Sequence, residues 1–482
     1  MEHLLAIWHY LAAALTLIIA VLASAHAVIY KRDSRSAVFW VAVSWMVPVF
    51  GAVFYLTFGV NRIRRRARSL LGDIDRARSC SHESTLSPAT LEKRLPEEAK
   101  RLAQLARLTG SVVERPLLPG NRIEPLINGD EAYPAMLEAI REAKVSVALC
   151  TYIFDSRTIG REFVAALKEA VDRGLEVRVI VDATGARYSW PSVVPRLKRA
   201  GIPVARFFPV FPPVSPMGIN LRNHRKILVI DGRLGFTGGM NIRPGNLVKT
   251  APQKPTQDIH FRVEGPVVAH LMEAFADDWT FCAKETLQGA TWFPPLEAVG
   301  DMPARGISDG PDEDFEKLAR AIHGALSCAR KSARIVTPYF LPDAALISAL
   351  KTAALRGVEI DIILPAKGNL PFVQWATTAQ LWQVLESGCR VWLTPPPFDH
   401  SKLLIVDGHW SLFGSANWDP RSLQLNFEFN VECYDKPFAE TLNALIETKR
   451  AIARRITRKE VDSRSLPIKL RDGVARLFHP FL

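Results

Sequence analysis

Asn223–His224–Arg225–Lys226–Ile227–Leu228–Val229–Ile230–Asp231–Gly232 and Asp399–His400–Ser401–Lys402–Leu403–Leu404–Ile405–Val406–Asp407–Gly408 are one pattern met twice: His, one residue, Lys, four residues, Asp-Gly. Gly238–Gly239–Met240–Asn241 follows the first copy and Gly414–Ser415–Ala416–Asn417 the second, with the same His-to-Asn interval. A lone His-x-Lys carries little weight, but two complete copies with matching downstream glycine and asparagine carry a great deal. Residues two apart on a strand face the same side, so His224 projects with Lys226 and His400 with Lys402. The apolar β-formers that follow anchor each strand, Asp-Gly is a favourable hairpin turn, and Asn241 and Asn417 fall on a returning strand at its glycine-containing entrance.

Two such units brought together place two imidazoles, two ammonium groups and two carboxamides around one centre, a set that suits a phosphodiester. Lys226, Lys402, Asn241 and Asn417 bind the non-bridging oxygens and stabilise charge as phosphorus becomes five-coordinate. One imidazole attacks phosphorus, and the other protonates the leaving alkoxide and then takes a proton from the incoming alcohol or water. Each ring needs a group that fixes its tautomer, and the candidates are Asp258, downstream of His224, and Glu428, downstream of His400. Asp231 and Asp407 have the wrong strand parity to join the histidines, which suits turn and support residues. A metal centre is disfavoured, because the residue sharing each histidine's face is a lysine and no other His, Cys or Asp cluster has ligand spacing. His260, His270 and His323 lack this context and read as structural or surface residues, and Trp279 as a helix packing residue.

The duplication extends upstream. Val145–Leu149 runs into Thr151–Tyr152–Ile153–Phe154, and Arg334–Val336 into Thr337–Pro338–Tyr339–Phe340. A helix-period stretch follows each (Phe163, Val164, Leu167, Ala170, Val171; Leu346, Leu350, Ala353, Ala354) and ends at Arg173–Gly174 or Arg356–Gly357, where glycine supplies a left-handed C-cap. Buried-strand patterns come next, at Val177–Val181 and Val358–Leu364. Strand, helix, strand in both copies predicts an α/β layer with crossover helices.

The N-terminus is of a different kind. No Asp, Glu, Lys or Arg lies between Glu2 and Lys31, nor between Arg35 and Arg62. Each gap is long enough for the roughly 20 residues that cross a bilayer, and Pro48 and Gly51 in the second are tolerated in spanning helices. A signal peptide fits poorly, since no basic region precedes the apolar run and a second one follows at once. The expectation is a two-helix membrane hairpin. Arg62, Arg64, Arg65, Arg66 and Arg68 after it outnumber Lys31, Arg32 and Arg35 in its loop, which places the catalytic region in the cytoplasm. Six scattered cysteines without a CxxC pair suit a reducing compartment.

The net charge of the 482 residues is +12, and segments 60–71 and 448–482 account for all of it. The rest is neutral, which disfavours a nucleic-acid binder and favours basic patches beside an anionic membrane surface. Ser465–Leu482 mixes Lys469, Arg471 and Arg476 with leucine, isoleucine and phenylalanine, as a basic amphipathic element on an anionic leaflet would. Apolar proline-rich loops, Phe207–Met217 and Pro395–Phe398, precede the two motifs and suit a lip that touches the bilayer.

These residues resemble the phospholipase D superfamily, whose signature is this paired HKD motif. Trp45–Met46–Val47–Pro48–Val49–Phe50–Gly51 with Tyr55–Leu56–Thr57–Phe58–Gly59, Arg222–Asn223–His224–Arg225–Lys226, Thr337–Pro338–Tyr339–Phe340 and Asp419–Pro420–Arg421–Ser422 are similar to bacterial cardiolipin synthases. The resemblance implies a duplicated phospholipase D-like fold, two pseudo-symmetric α/β/α halves sharing one active site behind the membrane hairpin. Its motif puts His224, Lys226, Asp231, His400, Lys402 and Asp407 in the catalytic set. It further implies phosphatidyl transfer from one phosphatidylglycerol to another through a phosphohistidine, with His224 as nucleophile, His400 as acid/base, no metal or cofactor, and an inner-membrane, multi-pass location. The sequence departs from the family pattern at Ile242–Arg243–Pro244–Gly245–Asn246, at Thr256 and at Trp418, which leaves donor and acceptor open. The competing readings are a membrane-bound hydrolase using water, a nuclease, and a catalytically dead scaffold. The expected divisions are 1–60 anchor, 61–118 juxtamembrane linker, 119–290 first half, 291–312 linker, 313–446 second half and 447–482 tail.

Overall fold

A computed structural model of the chain describes residues 2–31, 34–56, 85–208, 221–250, 253–311, 314 and 316–479. The arginine cluster at 62–68, Cys80 and most of the Phe207–Met217 loop lie outside them.

The first half contributes β1 (Leu118–Ile127), β2 (Ser146–Thr151), β3 (Glu176–Asp182), β4 (Val204–Phe207), β5 (Arg222–Asn223), β6 (Ile227–Ile230), β7 (Leu234–Gly238), β8 (Thr256–Gln257) and β9 (Ile259–Glu264). The second contributes β10 (Met302–Asp309), β11 (Ser332–Val336), β12 (Glu359–Pro365), β13 (Arg390–Thr394), β14 (Phe398–Asp399), β15 (Leu403–Val406), β16 (Trp410–Gly414) and β17 (Asn426–Tyr434), with β18 (Arg454–Ile456) after it. From one edge the main sheet runs β4-β3-β2-β6-β7-β9-β1 and continues β10-β17-β16-β15-β11-β12-β13-β18. The second series is the first in mirror order, so the antiparallel β1–β10 pair lies on the pseudo-twofold axis.

The crossover helices form where the apolar spacing placed them. Ile159–Asp172 buries Phe163, Val164, Leu167 and Ala170, and stops before Gly174 at φ +84°. Ala344–Leu355 starts at Asp343, whose carboxylate accepts the Leu346 N–H, buries Leu346, Ile347, Leu350 and Ala353, and stops before Gly357 at φ +88°. Both glycines sit in the left-handed region that an L side chain adopts only at a cost. On the face shared by the halves, Phe261 of β9 stacks on Phe413 of β16, with ring centroids 3.8 Å apart. Arg305 of β10 donates to Glu432 of β17 at 2.6 Å, and Glu432 also accepts from Trp410 Nε1 and Tyr434 Oη.

Four expectations change. The 291–312 stretch is not a linker, since it contains β10 at the centre of the sheet. Within 61–118, Pro88–Arg94 and Leu102–Val112 are helices, and the second buries Leu102, Leu105 and Ala106 in the second half's core. The 447–482 segment is not a free tail: β18 pairs with β13, and the helix Leu466–Leu477 docks through Arg471, stacked 4.5 Å over Trp375. At the N-terminus one described helix, Trp8–Tyr30, is long and apolar enough to cross a membrane. The second apolar segment is broken into Ser34–Met46 and Phe50–Phe54. Pro48 has no N–H to continue the first piece, whose 13 residues reach only about 20 Å, short of a bilayer core. The pieces fold against the long helix, with Trp45 Nε1 donating to Ser24 Oγ at 3.0 Å and His26 bonded to Tyr55 Oη at 2.7 Å.

Arg305→Ala leaves Glu432 buried without its cation, and should destabilise the catalytic body by about 3–5 kcal/mol in thermal or denaturant unfolding.

Candidate active site

The His-x-Lys triplets are not themselves strand. Each lies in a gap between a two-residue strand and a longer one, β5 to β6 and β14 to β15. The chain changes partners there. β5 pairs in parallel with β17 of the second half, whereas β6 pairs with β2 and β7 of its own half. Likewise β14 pairs with β8 of the first half before β15 joins β11 and β16. His224 N donates to Phe427 O at 2.9 Å and His400 N to Gln257 O at 2.7 Å, so each motif is fastened to the opposite half just before that half's carboxylate.

The orienting bonds therefore cross. His224 Nδ1 donates to Glu428 Oε1 at 2.9 Å and Oε2 at 3.0 Å, and His400 Nδ1 to Asp258 Oδ2 at 2.8 Å. Neither histidine is held by the candidate downstream in its own copy. With Nδ1 committed, Nε2 is the nitrogen of each ring that can meet a substrate. Tyr152 lies edge-on to His224, centroids 5.2 Å apart, and Tyr339 edge-on to His400 at 6.3 Å.

Lys226 Nζ donates to the His224 carbonyl at 2.5 Å, and Lys402 Nζ to the His400 carbonyl, while also lying 3.0 Å from His400 Nδ1. Both ammonium groups are thus folded back onto their own motifs. Asn241 and Asn417 sit just past β7 and β16, beyond Gly238 and Gly414, not on the returning strands. Asn241 Oδ1 accepts the Ile153 N–H at 3.0 Å, and Asn417 Nδ2 donates to Ser422 Oγ at 3.2 Å.

Asp231 and Asp407, counted in the motif's catalytic set, are elsewhere. Each heads its turn at positive φ, 52° and 54°. The Asp231 carboxylate accepts the N–H groups of Lys144, Val145 and Ser146, and Asp407 those of Arg330, Lys331 and Ser332. They pin the starts of β2 and β11, at the far ends of β6 and β15 from the histidines. Their strand parity had pointed to this support role.

Several supporting residues carry no sequence signal of their own. Arg225, the variable residue of the first motif, is buried and donates to Asp278 at 2.6 Å and to the Glu428 carbonyl at 3.2 Å. In the second motif Asp399 takes this load, bonded to Ser401 Oγ at 2.7 Å and Lys449 Nζ at 2.6 Å. Ser415 Oγ donates to Glu428 Oε2 at 2.5 Å, whereas its counterpart Gly239 leaves room for Asp258, whose Oδ1 lies 2.6 Å from where a Cβ would stand. Tyr152 and Tyr339 had been visible only as part of the repeated Thr-Tyr and Thr-Pro-Tyr stretches. Of the remaining histidines, His260 and His270 are buried, and burial pushes both down to about 4.

Burial dominates the electrostatics. It pulls Lys226 down to about 7 and Lys402 to about 8, although Glu428 and Asp258 oppose it. It lowers His224, with Lys226 and Lys402 reinforcing it and Glu428 opposing. His400 falls well below the ordinary range through burial, then Lys402, Lys226, Arg243 and His224. Burial pushes Asp258 up to about 6. It would do the same to Glu428, but His224, Lys226 and the Ser415 hydroxyl hold that carboxyl below its usual value. Among the described residues no three His, Cys, Asp or Glu side chains are grouped to hold a metal.

The family described as "Cardiolipin synthase, PLD-like domain" matches residues 136–279 and 322–449, one match per half, and "Phospholipase_D-nuclease N-terminal" matches 18–59. The chain belongs to the phospholipase D superfamily. Within it the chain is homologous to bacterial cardiolipin synthases. It is 31% identical to cardiolipin synthase A of Pseudomonas fluorescens over 100% of this chain and 98% of that one. It is 30% identical to cardiolipin synthase of Listeria innocua over 94% and 95%. The phosphatidylserine synthase of Haemophilus influenzae shares the fold, with a TM-score of 0.62 at 16% identity, over 79% of this chain and 100% of that one.

Two outcomes follow from this superfamily site. Double-mutant cycles on unfolding free energy should give coupling of about 1 kcal/mol or more for His224 with Glu428 and for His400 with Asp258, and less than about 0.5 kcal/mol for His224 with Asp258. Lysines with lowered proton affinity are charged below their pKa and neutral above it. So kcat/KM for an anionic phosphodiester should fall about tenfold or more between about pH 7 and 9.5.

Proposed function

We propose that this protein transfers a phosphatidyl group between two phospholipids, two molecules of phosphatidylglycerol giving cardiolipin and glycerol, through a phosphohistidine. The crossed arrangement carries the reading: two imidazoles from different halves, each braced at Nδ1, with Lys226, Lys402, Asn241 and Asn417 around them.

The two sides differ in a way that supports distinct roles. Glu428 is bonded by Ser415 and Asn426 and kept anionic, which suits the partner of a nucleophile that gains positive charge. Asp258, raised to about 6, shares a proton with its imidazole more readily, which suits an acid/base. In the first step the His224 Nε2 lone pair forms a bond to phosphorus, the bond from phosphorus to the glycerol oxygen breaks, and His400 gives its Nε2 proton to that oxygen. In the second, the acceptor hydroxyl attacks phosphorus, its proton passes to His400 Nε2, and the P–N electrons return to His224. Empty, the cluster keeps His400 neutral. An anionic phosphate among the same cations raises its proton affinity, so the substrate itself arms the acid.

Lipid access has support in the surroundings. Tyr188, 67% exposed, stands beside Tyr152 with ring centroids 6.1 Å apart, and Trp190, two residues on, is 89% exposed. A small, largely apolar pocket walled by Tyr339, Leu364, Val373, Leu381 and Leu393 opens to solvent beside Tyr339, whose ring lies 6.3 Å from that of His400, and suits contact with part of an acyl chain. The C-terminal helix turns Leu466, Leu470, Val474 and Leu477 outward beside Lys469 and Arg476, which suits an anionic leaflet. In this reading the two pieces of the second segment, neither long enough alone, together return the chain across the inner membrane, and the catalytic body lies in the cytoplasm.

Incubated with labelled phosphatidylglycerol, the wild type should yield a diphosphatidyl lipid and glycerol on chromatography. His224→Ala should abolish both the product and any acid-labile phosphoenzyme. His400→Ala should slow turnover by about 100-fold or more and let the phosphoenzyme accumulate. Normal product from the His224→Ala, His400→Ala double variant would overturn the assignment.

A further inference from the structure

The halves correspond down to the bridges that close them: Phe154 with Ile242 in the first, Phe340 with Trp418 in the second. This sets Asn241 against Asn417 and, two residues on, Arg243 against Asp419, each followed by a proline. One pair of equivalent positions thus carries opposite charge. Asp419 is buried and caps its own helix, accepting the Ser422 N–H at 2.7 Å. Arg243 is only half-buried, and its guanidinium is held from two sides, Nη2 donating to Thr256 Oγ1 at 2.6 Å and Nε to Asn246 Oδ1 at 3.3 Å. Both partners are neutral, and among the described residues it pairs with no carboxylate. Thr256 lies on β8 opposite Phe398 of β14, the short strand that leads into His400, and the Phe398 ring is 6.0 Å from the His400 ring. Arg243 and Thr256, two separate departures from the family pattern, are therefore one hydrogen-bonded unit beside the acid/base side of the pocket.

We propose that Arg243, positioned by Thr256 and Asn246, binds a second phosphodiester, that of the acceptor lipid. The assignment rests on the lipid-to-lipid reading above. The central phosphate occupies Lys226, Lys402, Asn241 and Asn417. An acceptor phosphatidylglycerol must bring its free hydroxyl to His400 while its own phosphate stays one three-carbon bridge away. Two anions that close repel each other, and a fixed guanidinium at the pocket's edge offsets the repulsion with paired N–H donors. The equivalent position of the other half carries Asp419, a carboxylate in place of a guanidinium. Water and glycerol carry no phosphate and draw nothing from Arg243, which makes it a selector of lipid over water.

The test is the product ratio of the full-length protein in phosphatidylglycerol vesicles. Arg243→Gln keeps hydrogen bonding to Thr256 but loses the charge. The ratio of diphosphatidyl product to phosphatidic acid should fall about tenfold or more, as loss of a charge-assisted bond predicts, and an unchanged melting temperature reports folding. Arg243→Lys should recover part of the transfer. Equal loss of both products, or an unchanged ratio, overturns the subsite and leaves the transferase reading standing. Inhibition by glycerophosphoglycerol, the deacylated headgroup diester, separates the two ideas. If the wild type makes only phosphatidic acid, the transferase reading fails. In that case, weaker inhibition of Arg243→Gln upholds the phosphate subsite, and equal inhibition overturns it as well.

Discussion

Each motif imidazole in this protein is tied to a carboxylate that belongs to the other half of the molecule. Glu428 and Asp258 are both fully enclosed, and a buried carboxylate without a partner costs several kcal/mol. Each takes its ionisable partner from the other half: the His224 bond to Glu428 spans 204 residues and the His400 bond to Asp258 spans 142. The two-residue pairings β5–β17 and β8–β14 exist to deliver these contacts, and they explain why the strands break at the motifs. The sheet continuing through β1 and β10, the stacked Phe261 and Phe413, and the Arg305–Glu432 pair hold the halves at the separation these bonds need.

The same enclosure sets the chemistry. Two lysines and an arginine around two imidazoles make an empty pocket that favours neutral bases and weakened ammonium groups. In the proposed reading an anionic phosphodiester supplies the missing charge, and binding and activation become one electrostatic event. The departures from symmetry give direction. The Ser415 hydroxyl braces Glu428, whereas Gly239 has no side chain to offer Asp258, which accepts the Ile259 N–H instead, and Arg243 stands where the other half has Asp419. A duplicated fold starts with two equivalent sides, and in the proposed reading these few residues distinguish the side that holds phosphorus from the side that handles the proton.

Much of this was legible in the amino-acid order, because the duplication repeats chemistry as well as hydrophobic rhythm. The Gly174 and Gly357 caps, the crossover helices and the support role of Asp231 and Asp407 follow from local period and parity. The exchange of carboxylates does not, since Asp258 and Glu428 each lie upstream of a similar apolar strand and nothing local marks which histidine each will meet. β10 and β18 were missed for another reason: an eight-residue strand between halves and a three-residue edge strand carry too little pattern to stand out from linker and tail. In the second apolar segment, Pro48 breaks what composition alone had read as one continuous helix.

The most direct examination of the central claim is a structure with bound vanadate. The account predicts a five-coordinate vanadium bonded to Nε2 of one histidine, with the other Nε2 within about 3 Å of the opposite apical oxygen and Lys226 and Lys402 swung from their carbonyls onto equatorial oxygens. Vanadate bound away from the two rings, or held by the residues of one half alone, would contradict it.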